Sequence, residues 1–134
     1  MLNQNKNNKT ILLAFRRTSD LDSLSEVLSS DGYRIIKAKN FLTLINSLER
    51  YRIHLIISEV KLPGISMAAF LPFLRRHYSY IKVIIVMKEY SPRIELSLRP
   101  YKILYVMPWP VSRELLKSLV EKGLERSEND LITV

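Results

Sequence analysis

The chain alternates short apolar runs with amphipathic stretches. TILLAF (10–15), YRIIKA (33–38), IHLIIS (53–58), KVIIVM (82–87) and KILYVM (102–107) have strand length. The third and fourth are apolar enough to be covered on both faces. Leu21, Leu24, Val27 and Leu28 recur at helical spacing after a polar Thr-Ser-Asp start, and Asp31-Gly32 stops that helix. Asn40 is placed to cap a helix that carries Phe41, Leu44, Ile45 and Leu48 on one face. MAAFLPFLRRHY (67–78) reads as helical, with Pro72 predicting a kink or a restart. Ser112 caps a last helix through Leu115, Leu116, Leu119, Val120 and Leu124, after which SENDLITV (127–134) reads as a frayed tail or the start of a linker.

Five strands alternating with helices predict an α/β fold: a doubly wound, five-stranded parallel sheet with helices on both faces. No second domain or internal repeat interrupts the pattern. Sites in such sheets lie outside the carboxyl ends of the strands, beside the switch in strand order. That rule nominates Phe15, Arg16 and Arg17 after the first strand, Ser58 and Glu59 at the third, Met87 and Lys88 after the fourth, and Met107 after the fifth.

Composition narrows the class. The 134 residues are 47% hydrophobic, enough for one folded core. No cysteine is present, which excludes disulfides and Cys-ligated metals and suits a reducing compartment. The N-terminus, MLNQNKNNKT, lacks the apolar segment of a signal peptide, and no run approaches membrane-spanning length. The expectation is a soluble, cytoplasmic chain with residues 1–8 disordered. The net charge is +8, but the cations are scattered rather than gathered in a run, so they read as a solvated surface and nucleic acid is disfavoured as a partner.

Little catalytic chemistry is available at the nominated strand ends. Glu59 stands without a second carboxylate, a histidine or a nucleophile beside it, and His54 and His77 read as structural or solvated. A divalent cation needs several hard oxygen ligands, and Arg16 and Arg17 bring positive charge to the same rim. Three glycines, at 32, 64 and 123, exclude a nucleotide-binding fingerprint. The reading is therefore not an enzyme, with no cofactor and no metal.

Two stretches carry a resemblance. HLIISEVKLPG (54–64) and YVMPWP (105–110) resemble the receiver domain of two-component response regulators, and the likeness extends over about residues 9–126. It implies a flavodoxin-like fold and assigns each family position. The phosphoacceptor falls on Glu59. The magnesium-holding acid pair falls on Phe15 and Arg16, or on Arg16 and Arg17. The hydroxyl position falls on Met87 and the lysine position on Met107. Pro108 keeps the family's proline, with a cis bond expected before it, and Trp109 takes the aromatic place, either as a partner anchor or in the core.

Every chemical position has departed while the frame persists. The resemblance so implies a degenerate, or pseudo, receiver that acts by protein–protein interaction, independently of aspartyl phosphorylation. Its partner would be a signalling protein or output domain, with a homodimer also possible. The alternatives are a phosphorylatable receiver with an atypical site, such as Ser58, and a basic nucleic-acid-binding module. Arg16 either pairs with Glu59 or points into water. Met87 and Met107 are expected to fill the former phosphate pocket. Only residues 88–101, with Pro92 and Pro100 among them, separate the last two strands, which predicts a short or displaced fourth helix. The loop after Pro63-Gly64 is expected to be remodelled.

Overall fold

A computed structural model describes residues 8–133 of the chain, with side chains as far as residue 125. Every residue of strand β1 (Thr10–Ala14) is buried, which requires a layer packed on each of its faces. β3 (Leu55–Glu59) and β6 (Lys82–Met87) are buried along almost their whole length in the same way. These three pair in parallel at the centre of a sheet of order β2-β1-β3-β6-β7, with β2 (Arg34–Ala38) and β7 (Tyr105–Pro108) at its edges. The chain leaves β1 for β2 on one side and returns to β3 on the other, so the switch in strand order lies between β1 and β3.

Two helical layers complete the architecture. Helices α1 (Thr18–Ser29) and α5 (Arg113–Thr133) cover one face through Leu21, Leu24, Leu28, Leu116, Val120 and Leu124. Helices α2 (Phe41–Arg50), α3 (Met67–His77) and α4 (Pro92–Leu98) cover the other, through Leu44, Leu48, Phe70, Leu71, Leu74 and Leu98. Strand residues alternate between the layers: Ile11, Leu13 and Phe15 look toward α1 and α5, Leu12 and Ala14 toward α2 and α3. This is the doubly wound, flavodoxin-like arrangement expected from the sequence. Asn40 and Ser112 cap as read, accepting from the N–H groups of Thr43 at 2.9 Å and Leu115 at 3.3 Å. Among the described residues no helix is long and apolar enough to cross a membrane.

Several boundaries differ from the sequence reading. β7 begins at Tyr105 rather than at Lys102, because a 3₁₀ turn (Arg99–Tyr101) comes first and Lys102 closes it with φ of +57°. α3 runs through Pro72 as one helix, so no restart occurs; proline's own φ is helical and one N–H is lost. α4 has seven residues, the short helix that the prolines predict. α5 continues over residues 127–133, which read as a tail, since neither proline nor glycine follows Gly123. The expected disorder of residues 1–8 falls almost wholly outside the described residues.

The remodelled loop is a small hairpin. β4 (Lys61–Leu62) and β5 (Ile65–Ser66) pair antiparallel around Pro63-Gly64, and the Phe41 N–H donates to the Pro63 carbonyl at 3.0 Å. Gly64 turns at φ of +103°, and a Cβ there would meet the Phe41 Cβ at 3.0 Å. Elsewhere, Arg75 joins two turns: its guanidinium donates to the carbonyls of Tyr101 at 2.6 Å, Ile81 at 2.7 Å and Ser79 at 3.3 Å. Burial lowers the pKa of this group.

Replacing Gly64 with alanine combines a left-handed φ with a close contact. Gly64→Ala is expected to destabilise the fold by about 1–3 kcal/mol, read as a lower urea midpoint at unchanged slope. Tyr33 supplies a pH test. Its side chain is buried at 5% exposure. Burial, with Glu121, Asp31 and Glu125 nearby, pushes its hydroxyl from 10.0 to about 12. The folded state therefore holds this proton more tightly than the unfolded chain, so the contribution is complete below pH 10 and disappears as pH rises through 12. Over that window the wild type should lose stability relative to Tyr33→Phe in denaturant titrations; a constant difference would refute the assignment.

Candidate functional site

Glu59 ends β3 and pairs in register with Val86 of β6, which pairs in turn with Met107 of β7. Phe15, Val86 and Met107 all belong to the core under α1 and α5, so Glu59 emerges on that face. Two residues beyond Val86 and Met107, Lys88 and Trp109 leave their strands on the same side. The Lys88 Nζ lies 2.5 Å from Oδ2 of Asp20, 3.9 Å from Oε1 of Glu59 and 4.7 Å from the Trp109 ring centroid. The other Glu59 oxygen, Oε2, accepts the main-chain N–H of Arg16.

Asp20 reaches this point from the first turn of α1, where the helix N-terminus favours negative charge. It is 8% exposed, and it lies four and eight residues before Leu24 and Leu28, on the buried stripe of the helix. A carboxylate so placed needs a partner, and Lys88 supplies it from a side chain 32% exposed. The site is one ammonium between two carboxylates, with an indole face beside it.

The nominated residues divide by face and by depth. Phe15 is fully buried, its N–H donating to the Ala38 carbonyl at 3.1 Å. Arg16 and Arg17 are exposed, and Arg16 touches Glu59 through its main chain. Among the described residues the Arg16 guanidinium forms no ion pair with Glu59, whose Oε1 has the Lys88 Nζ 3.9 Å away. Met87 and Met107 are buried on opposite faces, so they cannot line one pocket as expected; the Met87 Sδ instead accepts the Ser91 N–H at 3.3 Å. Ser58, the alternative acceptor, is fully buried and donates to the Glu59 carbonyl oxygen at 2.7 Å.

Pro108 needs a correction as well. The cis bond precedes Pro110, not Pro108. Pro108 still belongs to β7, opposite Met87, and an extended strand continues only through trans bonds. Trp109 is half-buried, packed against the core and held at Lys88.

Sequence reasoning named Lys88 as a strand-end residue without giving it a role, and it passed over Asp20. One signal was readable: a carboxylate on the apolar stripe of an amphipathic helix. Magnesium does not fit this arrangement. Among the described residues no three His, Asp or Glu side chains converge, and the two oxygen donors present already hold an ammonium that would repel a second cation.

Neither a protein-family model nor a curated protein matches the sequence. Solved structures do. A response regulator receiver domain protein (CheY-like) from Methanospirillum hungatei JF-1 superimposes with a TM-score of 0.85 at 21% identity, over 91% of this chain and 98% of that one. The signal receiver domain of a putative Luxo repressor protein from Vibrio parahaemolyticus gives 0.85 at 24% identity, over 92% and 96%. A beryllofluoride-activated NtrC4 receiver domain dimer gives 0.82 at 19%, over 88% and 98%. The chain has the fold of CheY-like receiver domains.

Removing the ammonium leaves Asp20 charged and nearly buried. Lys88→Met is expected to destabilise the fold by about 1–3 kcal/mol, and adding Asp20→Asn should recover much of the loss. Chemical denaturation of the two single variants and the double variant measures the coupling; additive effects would show that the pair contributes nothing.

Proposed function

We propose that this chain is a degenerate receiver, a non-catalytic signalling domain that works through protein–protein contacts without phosphorylation of a carboxylate. The observation that carries the reading is Lys88, whose ammonium binds Asp20 and approaches Glu59 while the Arg16 N–H occupies the second Glu59 oxygen.

Phosphoryl transfer to a carboxylate needs a free nucleophilic oxygen, a cation to neutralise the incoming group, and donors aimed at its oxygens. Here one Glu59 oxygen accepts the Arg16 N–H, and the other has the Lys88 ammonium 3.9 Å away. By the resemblance the family's hydroxyl place falls on Met87 and its lysine place on Met107, and both side chains are buried. The charge that a phosphoryl group and its metal would control in an ordinary receiver is set permanently by a side chain. The domain accordingly presents one surface state to a partner protein, an output domain or a second copy, in the cytoplasm.

Beryllofluoride with magnesium imitates a phosphorylated carboxylate and provides the test. Amide chemical shifts of the chain should stay unchanged on its addition, and acetyl phosphate with magnesium should add no phosphoryl mass. A stoichiometric, acid-labile phosphoryl adduct on Glu59 would overturn the reading.

A further inference from the structure

The cations that look scattered along the sequence converge in space. Helices that wrap a parallel sheet end where the next strand begins, so helix C-termini and strand starts share one edge. Three helix-to-strand connections meet there, and with their flanking helix and strand ends they take in residues 50–54, 75–82 and 99–102. They carry two, three and two Lys or Arg and not one Asp or Glu. Arg34 joins them as the first residue of β2. From β2 to β7 is four inter-strand steps of roughly 4.8 Å, so the stripe is about 19 Å long.

Three acids of the same edge, Asp31, Glu121 and Glu125, lie near Tyr33 on the side of α1 and α5, and Asp31 lies 3.5 Å from Lys117. On the stripe's own side Glu49 precedes Arg50, and Glu95 lies 4.0 Å from Arg99, which is therefore not counted among the free cations. Among the described residues no carboxylate is within ion-pair distance of Arg34, Arg50 or Arg52. Those guanidiniums meet aromatic rings instead. Arg34 and Arg50 lie 5.5 and 5.7 Å from the Tyr51 centroid, and Arg52 lies 4.6 Å from that of Tyr80, a residue 42% exposed. Arg75 holds two of the three connections in place through their carbonyls.

We infer that this amino-terminal edge of the sheet binds single-stranded nucleic acid, with phosphates on Arg34, Arg50, Arg52 and Lys82 and an unstacked base on Tyr80. Unpaired guanidiniums interleaved with tyrosines suit a backbone followed by stacked bases. The helix that runs on from this edge, α5, carries three Asp or Glu and one Arg over residues 125–133, which disfavours its entry into a major groove. The turns offer tyrosine rather than Leu, Phe or Trp, which disfavours insertion into lipid. From the sequence the cations were expected to be a solvated surface, with a basic nucleic-acid-binding module only as an alternative.

Fluorescence anisotropy of the 134-residue chain with labelled oligo-U and oligo-dT tests it. Binding at about 50 mM salt should weaken with a log–log slope of roughly −3 for about four phosphates. Arg52→Ala should flatten that slope by about 0.7. Tyr80→Ala should weaken binding about five-fold or more, and Tyr80→Phe should retain it. Arg93→Ala removes the same charge at the start of α4, on the opposite edge, and should change nothing. Circular dichroism checks that each variant is folded. Absence of binding at low salt, or equal weakening by Arg93→Ala, overturns the inference. So does Arg52-dependent sedimentation with phosphatidylserine vesicles in a protein that ignores both oligonucleotides.

Discussion

Strands β1, β3 and β6 pair in parallel and are buried on both faces, so their backbone groups have no recourse to water and must be satisfied by one another. This requirement fixes the register. Once Ala14 stands opposite Ser58 and Glu59 opposite Val86, the face on which each following residue emerges is settled. It also forces every helix to run back along the sheet, which gives the molecule two unlike edges. The carboxyl edge gathers strand ends and helix starts, and the amino edge gathers helix ends and strand starts.

At the carboxyl edge the arithmetic of charge is local and closed. Two carboxylates, one of them nearly buried, need about one cation held close, and Lys88 delivers it from the strand beside Glu59. A soluble ion in that place would come and go with its concentration. A tethered ammonium does not. Trp109 lies against the same ammonium, which keeps the site partly shielded from water and from screening salt.

The order of elements was legible because each strand is a compact apolar run and each helix repeats its apolar positions. The Pro63-Gly64 turn, the caps at Asn40 and Ser112 and the short α4 were legible for the same local reasons. The partnership between Asp20 and Lys88 was not, because 68 residues separate them and neither has a local feature that names the other. The methionines misled for a related reason: equal distance from a strand end says nothing of face, and Met87 and Met107 differ by one step of register. The basic edge was hidden by the same topology that builds it, since its members arrive from separate connections.

Arg75 has a consequence for how the molecule opens. Its guanidinium is bonded to carbonyls from the turn before β6 and from the 3₁₀ turn before β7. Neither turn can loosen alone without stripping acceptors from a charged group that burial already disfavours. The two connections therefore form one cooperative unit, and their amide protons should exchange through a shared opening rather than by separate fraying. The turns that lead into β6 and β7 are in this sense tied together by one side chain from α3.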